Sequence, residues 1–195
     1  PASIAAAKAG ATTGEWGNAI RGVFGEYRAP TGVGTSVSNQ TEGLDRIRDA
    51  VNAASDKLGR RLKFVVGKPG LDGHSNGAEQ IAVRARDCGM DISYEGIRLT
   101  PEQIVNSAIE ERAHVIGLSI LSGSHVPLVQ DVLKRMTAEG MSDIPLVVGG
   151  IIPDEDADHL RALGVAKVYT PKDFELNTIM MDIVALLDPQ AVAAE

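Results

Sequence analysis

From Leu62 onward the sequence predicts an α/β fold, a flavodoxin-like doubly wound sheet of five parallel strands preceded by an N-terminal extension. Three observations predict it. Short apolar runs alternate with amphipathic stretches at helical spacing. The runs Phe64-Val65-Val66 and Leu146-Val147-Val148 are continuous rather than alternating, as strands are when helices cover both faces of a sheet. Gly89, Gly140 and Gly164 stand where the intervening helices should stop.

Taken in order, the first strand is expected over 62–67 and its helix over 77–88, ended by Gly89. A second strand over 91–95 leads to Thr100-Pro101, an N-cap followed by proline at the first helical position, with Gln103 completing a capping box for a helix over 101–112. The third strand, 115–119, precedes a helix over 125–139. The fourth, 145–149, precedes one over 154–163. A fifth strand over 167–169 and a helix over 174–187 close the pattern. Right-handed crossovers leave few topologies for five such units. The flavodoxin-like order places a ligand at the carboxyl ends of the first and third strands.

Composition narrows the function. The chain has 195 residues, 44% of them apolar, which is enough for one core. Nineteen basic against 26 acidic residues give a net charge of −7 and a pI near 5.1, which argues against nucleic acid or an anionic membrane as the main partner. Cys88 is the single cysteine, so there is no internal disulfide and no multi-cysteine metal site. That usage fits a reducing compartment, with the cytoplasm the expected location. No apolar run reaches the ~18–20 residues of a membrane span, and no signal-peptide pattern is present. Residues 1–34 are rich in Gly, Ala and Thr and hold Trp16, Phe24 and Tyr27. Residues 35–60 are polar, with Leu44, Ile47, Val51, Ala54 and Leu58 at helical spacing. The sequence begins at Pro1 rather than Met, and the expectation is a piece of a larger polypeptide.

The turns at the carboxyl ends carry the chemistry. After the first strand comes Lys68-Pro69-Gly70-Leu71-Asp72-Gly73-His74-Ser75-Asn76-Gly77, longer than a usual βα turn. Asp72 and His74 are two apart, so the carboxylate can hold one ring nitrogen and leave the other free, which serves a general base or a metal ligand. After the third strand, Ser119 and Leu121 supply one hydroxyl and one apolar contact. After the fourth, Gly149-Gly150 removes side chains beside the sheet edge, for a bulky group or for tight packing of the next helix. The loop has neither Gly-x-Gly-x-x-Gly spacing nor a Walker Gly-Lys-Ser/Thr, so a phosphate cradle is not indicated.

Asp72-x-His74-x-x-Gly77, followed by Ser119-x-Leu121 and Gly149-Gly150, resembles the cobalamin-binding domain of adenosylcobalamin-dependent acyl-CoA mutases and of methionine synthase. The resemblance implies that His74 replaces the dimethylbenzimidazole as lower axial ligand to cobalt, base-off and histidine-on, with Asp72 bonded to its distal nitrogen. The displaced nucleotide tail would descend into a slot lined by Ser119, Leu121, Gly149 and Gly150. Gly77 would let the first helix begin close to that tail. Gly73, Ser75, Ser122, Gly123, Tyr169 and Thr170 complete the cofactor contacts expected from the longer matching segments 68–77, 119–125 and 169–174.

Those segments look most like the branch of the family that acts on ethylmalonyl-CoA, with the methylmalonyl-CoA branch as the alternative. The likeness covers residues 62–188, and the cobalamin-binding domain is expected over 61–190. Thr12-Thr13-Gly14-Glu15-Trp16 and Phe24-Gly25-Glu26-Tyr27-Arg28-Ala29-Pro30 look like the end of a catalytic barrel region spanning 1–34, with a linker and lead-in helix over 35–60. The implied activity is that of an isomerase, a radical carbon-skeleton rearrangement of ethylmalonyl-CoA to methylsuccinyl-CoA. The resemblance further implies that the acyl-CoA is held by the barrel, that no catalytic residue lies in this chain, and that the full enzyme is a homodimer.

Two other functions compete on the same fold. A freestanding cobalamin carrier or sensor would carry a helical bundle where 1–34 look catalytic. A phosphoacceptor receiver would need an aspartate where the third strand ends in Ser119-Ile120-Leu121. Among the remaining candidates, His125 opens a helix beside the slot and is expected either to approach the corrin or nucleotide or to be structural. His114 reads as structural, His159 as a solvated helix residue and Cys88 as buried filler. Lys172 and Asp173 stand near a cofactor side chain or, more simply, Asp173 caps the last helix.

Overall fold

A computed structural model describes residues 2–25 and 37–193. Two compact units divide the chain near Val37. In the first, α1 (Ala2–Lys8) and α2 (Thr13–Phe24) form a helical pair. The Thr12 hydroxyl accepts from the Glu15 N–H and the Glu15 carboxylate returns a bond to the Thr12 backbone, so α2 starts on a full capping box. The indole N–H of Trp16 donates to Ser3 Oγ at 3.0 Å, joining the two helices. Of the expected segment Phe24 to Pro30, the residues from Glu26 onward lie outside the described residues.

The second unit begins within α3 (Val37–Leu58) and continues with β1 (Lys63–Gly67), α4 (Asn76–Asp87), β2 (Asp91–Tyr94), α5 (Pro101–Glu110), β3 (Val115–Ile120), α6 (His125–Ala138), β4 (Leu146–Gly150), α7 (Asp154–Ala162), β5 (Lys167–Tyr169), α8 (Leu176–Leu187) and α9 (Pro189–Ala193). All strand pairs are parallel and the order is β2-β1-β3-β4-β5, the flavodoxin-like arrangement. Because β1 has β2 on one side and β3 on the other, the crossovers leave it in opposite directions and a crevice opens over its carboxyl end.

Side chains alternate between two cores, as strand geometry requires. Val65, Ile116, Leu118 and Val148 pack with α5, α6 and α7 through Ile104, Val129, Val132 and Leu160. Phe64, Val66, Val115 and Val147 pack with α3, α4 and α8 through Ile47, Val51, Ala78, Met180 and Ile183. Each fully buried aliphatic side chain contributes roughly 1.5–3 kcal/mol. The lead-in helix α3 is thus part of this core. Arg48 Nε donates to the Asp87 carbonyl at 2.8 Å, and the Leu62 N–H donates to Ser55 Oγ at 3.0 Å.

The boundaries follow the expected punctuation closely. Thr100 and Gln103 form the capping box, and Gly89, Gly140 and Gly164 take positive φ at helix ends. Two ends differ. The helix expected over 101–112 stops at Glu110, because Ala113 N–H bonds back to the Ala108 carbonyl and Arg112 turns into the left-handed region at φ 51°. The last long helix starts at Leu176 instead of 174, because Asp173 does not cap it. Its carboxylate instead accepts from the Thr170 N–H at 2.7 Å and the Thr170 hydroxyl at 3.1 Å, closing the loop before the helix. His114 is structural as expected, its Nδ1 accepting from the Lys63 N–H at 2.8 Å. His159 is exposed on α7 and Cys88 is buried. Among the described residues no helix is long and apolar enough to cross a membrane.

The two glycines after β4 have different jobs. A Cβ on Gly150 would lie 1.8 Å from the Ile120 carbonyl oxygen on β3, whereas one on Gly149 would meet nothing closer than Tyr169 Cβ at 3.9 Å. Gly150 is demanded by strand packing. Thermal melts should therefore show Gly150→Ala destabilised by ~3 kcal/mol or more, with Gly149→Ala losing under ~1 kcal/mol.

Candidate functional site

The loop after β1 is a built structure. The Leu99 N–H donates to the Lys68 carbonyl and the Gly70 N–H to the Leu99 carbonyl, both at 3.0 Å, so one further parallel bridge pins it to the β2–α5 loop. Gly70 then turns the chain at φ +87°, a left-handed conformation open to glycine at no steric cost. Asp72 follows, one carboxylate oxygen accepting from the His74 N–H at 3.0 Å and standing 2.6 Å from His74 Nδ1. This is an Asx-type turn that fixes the ring direction.

The other Asp72 oxygen faces Lys68 Nζ at 3.4 Å. Lys68 is 1% exposed, and its ammonium also donates to the Ser119 carbonyl at 3.0 Å and hydroxyl at 3.3 Å. A cation this buried needs such partners to offset its desolvation. One chain of contacts therefore runs from Ser119 through Lys68 and Asp72 to His74, joining the carboxyl ends of β3 and β1. The His74 side-chain bond, its backbone bond and the Lys68 charge hold the Asp72 carboxyl well below the usual carboxylate range. An ionised Asp72 accepts from Nδ1–H and so leaves the lone pair on Nε2. The His74 side chain is 80% exposed, and Nε2 has no partner among the described residues.

Beside this loop lies a slot of about 320 Å³ over the carboxyl ends of β1, β3, β4 and β5, bounded by α4 and α8. Its walls are mainly apolar, with Phe64, Val66 and Leu118 on the sheet and Ile179 and Ile183 on α8. The Phe64 ring lies across Gly117, where a Cβ would approach it to 2.7 Å. The Tyr169 hydroxyl reaches Asp182 at 3.5 Å, and burial pushes that phenol above its usual range, with the Asp182 charge adding to the effect. The Tyr169 wall is therefore uncharged at neutral pH. Another groove of about 550 Å³ runs between α3 and the α8–α9 corner, around the Lys57–Asp188 ion pair and away from the strand ends.

Of the residues expected from the sequence, Gly77, Ser119, Leu121, Gly149, Gly150, Tyr169 and Thr170 line the slot. Asp72, Gly73, His74 and Ser75 form the neighbouring loop, tied to the slot through Lys68 and Ser119. Ser122 and Gly123 do not line it. Ser122 Oγ pairs with Ser124 Oγ at 3.1 Å, and the Ser122 carbonyl faces His125. His125 does not line the slot; its ring is buried, with Nε2 2.8 Å from Asp156 Oδ2. Lys172 pairs with Asp154 at 2.8 Å. The slot also takes in Phe64, Ile151 and Phe174, and the loop depends on Lys68, none of which the spacing of the sequence singled out. The only signal for Lys68 was a lysine directly after a buried strand.

Among the described residues no three His, Cys, Asp or Glu gather as an ion cage. His74 can offer one nitrogen to a metal that brings its other ligands with it. If His74 is the main support of the ionised Asp72, His74→Ala should raise the Asp72 pKa more than Lys68→Met does. Carboxyl carbon NMR titration between pH 2 and 7 would show this ordering. Because the folded pKa is depressed, the stability Asp72 adds is present above the ordinary carboxylate pKa and is lost on acidification below about pH 4.

Residues 62–173 match the family model described as a B12 binding domain. The whole chain is 73% identical to ethylmalonyl-CoA mutase of Cereibacter sphaeroides, spanning 30% of that protein. Over 96% of its length it is 56% identical to ethylmalonyl-CoA mutase of Methylorubrum extorquens, spanning 27% of that one. The chain thus covers under a third of these relatives. A cobalamin-binding protein from Desulfitobacterium hafniense DCB-2 shares the fold, with a TM-score of 0.55 and 21% identity over 74% of this chain and 77% of that one. With the family model spanning the sheet and its strand-end loops, this chain belongs to the B12-binding domain family, in the form carried by these acyl-CoA mutases.

Proposed function

We propose that this chain holds adenosylcobalamin, base-off with His74 on cobalt, for an acyl-CoA mutase that converts ethylmalonyl-CoA to methylsuccinyl-CoA. One observation carries the reading: an exposed imidazole whose Nδ1 is held by Asp72, with Nε2 outward beside an apolar slot. The residues fit the group in charge and in space. A neutral ring suits cobalt, which needs a lone pair. The slot is apolar enough for a flat nucleotide base, and Gly149 and Gly77 leave its sides open, with nothing nearer than 3.9 Å to a Cβ built on either. Ser119, Leu121, Gly149, Gly150, Tyr169 and Thr170 would receive the nucleotide tail. Gly73, Ser75, Ser122 and Gly123 belong to the surrounding loops.

Bound adenosylcobalamin supplies a weak cobalt–carbon bond whose homolysis starts the radical rearrangement. What this chain supplies is positioning. Lys68 fixes the Asp72 carboxylate, Asp72 fixes the tautomer and direction of the His74 ring, and an anionic partner on Nδ1–H makes Nε2 a stronger donor. The identity to ethylmalonyl-CoA mutases across the full chain supports that substrate over methylmalonyl-CoA. It also supports reading residues 1–34 as the end of a catalytic region, with 35–60 leading into the cobalamin domain. The acyl-CoA site would then lie on a separate barrel, in a cytoplasmic homodimer.

The absorbance spectrum of adenosylcobalamin with the purified chain should be that of the base-off, histidine-on form. His74→Ala should abolish that spectrum, and a spectrum equal to the unsubstituted protein's would remove His74 from cobalt. Asp72→Ala should weaken binding ~10–100-fold while leaving a histidine-on spectrum at saturation. Assay of the full polypeptide with both acyl-CoA esters separates the two substrates. Turnover by these 195 residues alone would contradict a separate barrel.

A further inference from the structure

Beyond Ile120 and Gly150 the ladder between β3 and β4 ends, and among the described residues no backbone hydrogen bond joins the loops 121–124 and 151–153 that follow. Yet those loops carry Leu121 and Ile151, which line the slot. They are held by side chains. His125, the first residue of α6, is 5% exposed at its side chain, with Nε2 2.8 Å from Asp156 Oδ2 and Nδ1 3.3 Å from the Ser122 carbonyl. Both partners offer acceptor oxygens, so whichever ring nitrogen carries the proton donates to one of them. Being buried, it cannot exchange those partners for water without cost. One bond ends on the β3–α6 loop, the other in the first turn of α7, where Asp154, Glu155 and Asp156 meet the positive end of the helix. The corresponding tie to the β5 loop, Lys172 to Asp154, is 76% exposed on both sides and is correspondingly weak.

We propose that the His125–Asp156 pair is a clasp that fixes the spacing of Leu121 and Ile151 and thereby sets affinity for the nucleotide tail of the cofactor. The inference rests on the cobalamin reading above. The pair touches neither slot nor cobalt ligand, so it is a positioning pair. It should discriminate between corrinoids by their tails and leave ligation by His74 alone.

The test uses the full chain with two probes, adenosylcobalamin and cobinamide, the corrinoid that lacks the nucleotide tail. His125→Phe keeps a ring of similar volume and removes both ring nitrogens. Asp156→Ala changes a carboxylate that is 41% exposed, so this variant keeps the fold even if the other does not, as a thermal melt will report. Each should raise the Kd for adenosylcobalamin about tenfold. Cobinamide affinity should stay within about twofold, the histidine-on spectrum should persist at saturation, and the double variant should be no weaker than either single one. An unchanged adenosylcobalamin Kd in Asp156→Ala, or an equal loss for both corrinoids, overturns the clasp. If the unsubstituted chain binds neither corrinoid, the cobalamin reading falls and the clasp with it.

Discussion

The site depends on one buried cation. Lys68 follows β1 directly, and its ammonium is cut off from water, so it must be surrounded by oxygen. The oxygens come from Ser119, 51 residues further along near the end of β3, and from Asp72 in the loop after β1. Satisfying the lysine therefore draws the histidine loop onto the switch point of the sheet. Its charge also helps keep Asp72 ionised, which in turn fixes the ring of His74. A neutral residue at 68 could fill the space but would supply neither effect.

Around that cation the sheet makes room. Strands covered on both faces bring large side chains to the carboxyl edge, and glycine is how this chain clears them. Gly117 admits the Phe64 ring, Gly150 admits the β3 backbone, and Gly149 leaves the slot open. These glycines all lie on strands, yet each answers a different neighbour. The 21 glycines of the composition thus do not share a single purpose.

The loops are held at unequal strength. The β1 loop has a backbone bridge and a buried ion pair, while the β3 and β4 loops rely on His125 and Asp156. On the proposed reading, a firmly tied His74 loop next to walls joined by side chains would let ligation and tail recognition be tuned separately.

The sequence by itself determined the order of strands and helices, the parallel sheet, the caps at Thr100 and the helix-ending glycines, and the pairing of Asp72 with His74. All of these follow from local rules: apolar periodicity, the geometry of a residue two positions away, and the steric freedom of glycine. Its motifs also carried the family likeness. What it did not yield were contacts between distant segments. Lys68 reaches Ser119, His125 pairs with Asp156, and Gly150 yields to the Ile120 carbonyl. Only the tertiary structure decided these, because each depends on which loops the β1–β3–β4 register brings side by side, and burial then forces every polar group there to find a partner.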